Sequence, residues 1–134
     1  MKQLPSLFLL SIVVTTTLAG CATPAEMRKQ SPELELKSSL PAKTVSTCIA
    51  DHWENLSLVG QTIPINMRPI ENGYTVYWRN ESSGHTMVLV DVTDIAEGSL
   101  TRYFTNSILR GACDKVVIDC QDPTKKTTGG SGTL

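Results

Sequence analysis

The chain has 134 residues, with 12 Lys and Arg against 13 Asp and Glu for a formal net charge of −1. That length leaves room for one small domain, and the charge argues against a nucleic-acid partner, which wants a basic surface. No second long apolar run follows residues 7–14, so no segment qualifies as a membrane-spanning helix.

The N-terminus carries three features in order. Lys2 is positive, Leu7 to Val14 is a short apolar core, and Leu18-Ala19-Gly20-Cys21 places small residues directly ahead of a cysteine. The apolar core is too short to span a bilayer and has the form of an export signal. The run ending at Cys21 resembles the lipobox of bacterial lipoproteins. That resemblance implies removal of residues 1–20 as a signal peptide and diacylglycerol on the Cys21 thiol. A mitochondrial presequence would need several arginines, and none precedes Arg28. Ala22, rather than Asp, follows the cysteine, which in such lipoproteins implies the outer membrane, facing the periplasm. Each buried methylene contributes about 0.8 kcal/mol, so several acyl chains would hold the protein firmly. Loss of Lys2 with the leader takes the formal charge from −1 to −2.

Residues 21–38 are polar, contain Pro24 and Pro32, and show no apolar period; they read as a flexible tether. The folded domain is expected over 39–122. Ser39 is a candidate cap and Pro41 suits a first helical turn. Val45, Cys48, Ile49, His52, Trp53 and Leu56 then recur at steps of three and four, one stripe of an amphipathic helix. From Gln61 the period becomes two, with Ile63, Ile65 and Met67 alternating; Pro64 and Pro69 make this an edge strand. Asn72-Gly73 signals a tight turn in which both residues tolerate positive φ. Tyr74 to Arg79 follows as a strand with Tyr74, Val76 and Trp78 on one face. Asn80 to Gly84 is a second turn. Thr86 to Val92 reads as a central strand buried on both sides. After a turn at Ile95 to Gly98, Ser99 to Thr105 is a fourth strand, with Leu100, Arg102 and Phe104 on one face. Ile108, Leu109, Ala112, Cys113, Val116, Val117 and Cys120 fit a final helix, capped by Asn106 or Ser107 and ended by Pro123. Residues 123–134 read as a disordered tail by composition.

The order α-β-β-β-β-α predicts an α+β two-layer sandwich: a four-stranded antiparallel meander with an N-terminal and a C-terminal helix. Three cysteines remain after Cys21. In an oxidising compartment two of them can form a disulfide, and the odd one stays free or pairs between molecules. A zinc site would need close cysteine or histidine pairs, and the six residues between Cys113 and Cys120 do not provide one. Cys48–Cys120 would tie the two ends of the domain together; Cys48–Cys113 is the alternative. The run Cys48-Ile49-Ala50-Asp51-His52-Trp53-Glu54, then Gly73-Tyr74 and a late Cys120, resembles a group of small proteobacterial lipoproteins. The resemblance favours Cys48 with Cys120, leaves Cys113 as a departure, and brings no activity with it.

Catalytic equipment is thin. His52 falls on the apolar stripe, where packing is the ordinary reason for a histidine, and His85 follows a predicted turn. Cys113, the spare thiol, lies on an apolar face where burial raises its pKa and makes it inert. Ser82-Ser83-Gly84-His85 is adjacency without triad geometry, and no Gly-x-Ser-x-Gly elbow exists. Asp91 and Asp94 read as edge-solvating or backbone-bonding carboxylates. Tyr77, Arg79 and Tyr103 are the expected outward residues for partner binding, because exposed Tyr and Arg are favoured at interfaces. The expectation is therefore a non-enzymatic, membrane-anchored envelope module that binds a protein partner, with no cofactor, metal or nucleic acid. The alternative is a periplasmic inhibitor or immunity protein that blocks a hydrolase through the Asn80–His85 loop.

Overall fold

A computed structural model describes residues 22–58, 61–106 and 110–124. The leader, Cys21, Ile108, Leu109 and residues 125–134 of the expected tail lie outside them. The elements are α1 (Pro24–Arg28), β1 (Leu34–Ser38), α2 (Ala42–Glu54), β2 (Ser57–Leu58), β3 (Gln61–Thr62), β4 (Ile65–Ile70), β5 (Gly73–Arg79), β6 (Thr86–Ile95), β7 (Gly98–Thr105) and α3 (Arg110–Asp119).

The fold is α+β: an open antiparallel sheet of five strands in the order β1-β7-β6-β5-β4, with three helices. The β2–β3 pair forms a separate two-stranded ribbon. The expected four-strand meander is present as β4 to β7, and β1 adds a fifth strand beside β7, with Leu34 opposite Tyr103 and Ser38 opposite Ser99. This corrects the reading of 21–38 as a tether. Leu34 and Leu36 alternate with Glu35 and Lys37, which is a strand pattern too short to stand out, and both leucines pack on the helix-side core.

Each sheet face has its own cover. On one face, Val76, Val88, Val90, Val92 and Tyr103 meet Val45, Ile49 and Trp53 from α2 and Cys113 and Val117 from α3. On the other, Tyr77, Leu89 and Phe104 pack around Met27 of α1, which is 0% exposed. The near-continuous β-formers of β6 follow from cover on both sides.

The turns show what the punctuation residues do. Ile70 pairs directly with Gly73, so the turn is Glu71-Asn72, and of the Asn72-Gly73 pair it is Asn72 that has positive φ, at 58°. Gly73 is needed for a different reason. A Cβ there would fall 1.9 Å from the Val92 carbonyl oxygen, so only glycine lets β5 start so close to β6.

Helix α2 starts at Ala42 with Pro41 as its flanking residue, and Pro41 supplies no side-chain cap. The expected Ser39 cap is replaced by Asp94 of β6, whose Oδ1 accepts from the Ala42 N–H at 2.8 Å. A carboxylate at a helix N-terminus satisfies an orphan donor and complements the helix dipole. The Cys48 and Cys120 sulfurs lie at bonding distance, 2.06 Å, with Cα atoms 5.8 Å apart. They link α2 to the end of α3, and among the described residues Cys113 is the free thiol.

Candidate partner and anchor surface

Of the three residues expected to face outward, the structure exposes Arg79 alone. Tyr103 is 0% exposed and packs against Trp53 in a tilted pair, 6.2 Å between ring centroids. Tyr77 is 8% exposed, under α1. The reason is parity. The face of β7 that meets the helices carries Ser99, Thr101, Tyr103 and Thr105, all buried, while Phe104 is free to turn away because Met27 covers the opposite face. Burial, and then the Asp114 carboxylate, push the Tyr103 phenol far above its ordinary value, so it has no acid–base role near neutrality.

The other chemistry-bearing groups hold the fold. Asp91 accepts from Arg28 Nε at 2.7 Å and Nη2 at 2.9 Å, a bidentate pair that also brings Arg28 Nη2 to Thr75 Oγ1 at 3.1 Å. Asp91 and Asp94 thus serve two distant helices rather than local turns or a paired-carboxylate site. The Asp91 hydrogen bond is the main reason the Arg28 pKa is raised. Burial pushes the Cys113 thiol up to about 11, with Asp114 adding to it. His52 is exposed, against the expectation of a packed residue, with Nδ1 2.8 Å from the Cys48 carbonyl oxygen. Cys48, His52 and Cys120 gather ligand atoms within 4.8 Å of one another, but two sulfurs joined in a disulfide are not the thiolates a metal needs. In the Asn80–His85 loop, Ser83 Oγ accepts from the His85 backbone N–H at 3.3 Å, a local turn contact.

Two features of the surface stand out. The first is the pair of open edges, β1 and β4. Pro69 within β4 blunts that edge, whereas β1 contains no proline and offers unpaired backbone with Glu35 and Lys37 exposed. The second is a cleft of about 340 Å³ lined by Pro64, Asn66, Arg68, Tyr77, Arg79, Glu81 and Gly84. Arg68 sits over the Tyr77 ring at 5.8 Å, and Arg79 Nε donates to the Gly84 carbonyl at 2.9 Å. Arg68 is invisible as a site residue in the sequence, because its place opposite Thr75 and over the Tyr77 ring depends on the β4–β5 register. Met27 and Arg28 were hidden for the same kind of reason, inside a segment whose composition reads as solvent-facing.

Residue 22 is already part of the fold. The Thr86 N–H donates to the Ala22 carbonyl at 2.8 Å, and Ala22 packs against the cluster under α1. Thr86 in turn pairs with Arg79. Comparison of the chain with protein-family models, with curated proteins and with solved structures finds no match.

Proposed function

We propose that this chain is a lipid-anchored, non-enzymatic module of the bacterial envelope that binds a protein partner through the open edge of β1. The anchor reading rests on Leu18-Ala19-Gly20-Cys21. The observation that carries the binding reading is the β1 edge itself: five residues without proline, at the border of a sheet whose other border is blunted. Such an edge accepts an added strand from a partner, with main-chain hydrogen bonds for affinity and alternate side chains for specificity. The engagement of Asp91, Asp94, Cys113 and Tyr103 in packing and capping favours a binding module over an enzyme. Anchorage at the outer membrane, facing the periplasm, is part of the same proposal.

The test is site-directed photo-crosslinking in intact cells with the full chain. A photoreactive residue at Lys37 should yield one discrete adduct, and the same residue at Lys43 on α2 should not. Equal adducts from both positions, or none from Lys37, would contradict the edge assignment. The inhibitor reading retains one favourable observation. The Asn80–His85 loop is pre-ordered, with Asn80 Oδ1 accepting from the Ser82 and Ser83 N–H groups at 2.9 and 3.3 Å. Capture of a single soluble hydrolase, lost on replacing that loop with glycines, would favour it instead.

A further inference from the structure

We infer that the partner of the β1 edge is a second copy of this chain, paired antiparallel so that the two β1 strands meet about a two-fold axis at Leu36. The inference rests on β1 being the binding edge and names its occupant.

The side chains of β1 fit their own image. Antiparallel pairing about Leu36 sets Leu36 against Leu36 of the second copy, Leu34 against Ser38, and Glu35 against Lys37. The axis repeats each contact, so this register makes two opposite-charge pairs directly across the new ladder, and such pairs stabilise it. Moving the axis by one residue along β1 sets Glu35 on Glu35, or Lys37 on Lys37, at its centre. Like charges directly opposite one another destabilise a sheet. The alternation of charge thus selects one register of self-pairing.

Both charges are available for it. Lys37 is exposed and, among the described residues, has no carboxylate partner, whereas Arg28, Lys29, Arg102 and Lys115 each have one. Glu35 Oε2 accepts from Arg102 Nε at 3.0 Å, yet the Glu35 side chain stays 52% exposed and Oε1 remains for the lysine of the second copy. Leu34 and Leu36 pack on the helix-side core but are only half-buried at the border of the sheet. Leu36 of the second copy covers that border, with Cβ atoms about 5 Å apart. The outward main-chain groups of β1 supply about four to six ladder hydrogen bonds, and two five-stranded sheets become one of ten. Pro69 denies β4 the same pairing. Because the axis is perpendicular to the sheet, the α1 sides of the two copies stay level. Ala22 of each, packed in the cluster under α1, lies on that side, so two chains anchored in one membrane can adopt the pairing. A strand of five residues is about 17 Å long, which places the interface in the small, transient class.

The experiment uses the full chain in intact cells, produced as two copies with different C-terminal tags. A photoreactive residue replaces Ser39, an exposed position that this register sets opposite Glu33 of the second copy. Irradiation should give an adduct that carries both tags. E35K paired with itself, and K37E paired with itself, should each lower its yield about ten-fold, because two opposite-charge contacts become two like-charge ones. E35K produced together with K37E should restore the doubly tagged adduct, since every lysine then faces a glutamate. Both positions are exposed, and resistance of Cys48 and Cys120 to alkylation reports a folded chain in each variant. Yields unmoved by the swaps, or a mixture no better than the single variants, would overturn the pairing. Adducts of Ser39 or Lys37 with a different protein, and none carrying both tags, would overturn the second copy as occupant while keeping β1 as a binding edge. No adduct from either position would remove the edge reading as well.

Discussion

Replacing both Cys48 and Cys120 with serine removes a bond that closes a loop of 72 residues. That loop encloses β2 to β7, the second half of α2 and all of α3. In the chain-entropy description, closing 72 residues restricts the unfolded chain by about 4 kcal/mol at 25 °C. Against a total of about 5–15 kcal/mol for a domain of this size, the loss is large enough to leave the variant partly unfolded at growth temperature. Urea denaturation followed by tryptophan fluorescence reads the change directly, since Trp53 is fully buried in the core beside Cys113. Wild-type protein under a reducing agent should converge on the double variant. A stability difference below about 1 kcal/mol, or peptide mapping that finds Cys113 in the oxidised pair, would refute the reasoning. Changing both cysteines together matters, because a single replacement would leave an unpaired thiol that an oxidant can join to another cysteine, within or between molecules.

Other perturbations probe the remaining joints. Met27→Ala should cost about 2–3 kcal/mol, the lower part of the range for a buried methionine, because its cluster is small; an unchanged thermal midpoint would mean that α1 does not hold the far face. Asp94→Ala should cost about 1 kcal/mol through loss of the α2 cap, and Ser39→Ala should cost almost nothing; the reverse order in urea midpoints would restore Ser39 as the cap. The folded-state pKa of Cys113, pushed up to about 11 by burial, sets a direction with pH. The unfolded thiol loses its proton first, so the stability held by the protonated buried thiol is complete below the ordinary thiol range. It then falls as pH rises from about 9 towards 11. Cys113→Ser should flatten that fall, and an unchanged profile would exclude Cys113 as its source. Alkylation of native Cys113 near neutral pH should be slow and become fast only on unfolding.

Much of the fold was legible because its signals are local. The step of three and four over Val45, Ile49 and Trp53, the alternation in Tyr74 to Trp78, and the breaks at Asn72, Gly84 and Gly98 depend on near neighbours. What escaped depends on distant ones. Leu34 to Ser38 is a strand only because β7 is there to pair with it. Asp94 caps α2 across 52 residues of sequence, and Asp91 meets Arg28 across 63. The site suffered most. Tyr77 looks like an interface residue when the sheet is assumed to be covered on one face, and Met27, inside a polar and proline-containing stretch, covers the other; Tyr103 escaped because the alternation of β7 turns it, and not Phe104, toward α2 and α3. Arg79 was legible from the alternation that sets it on the face opposite Tyr74 and Trp78, whereas Arg68 needed the register of β4 on β5.

The identity of the mature N-terminus is the most direct test of the anchored module. The full chain is expressed in a bacterial host, purified from membranes with detergent, and its N-terminal peptide is analysed by mass spectrometry. Anchoring requires a peptide that begins at Cys21 and carries diacylglycerol on the thiol. A soluble mature protein that begins elsewhere, or an unmodified Cys21 in the membrane fraction, would contradict it.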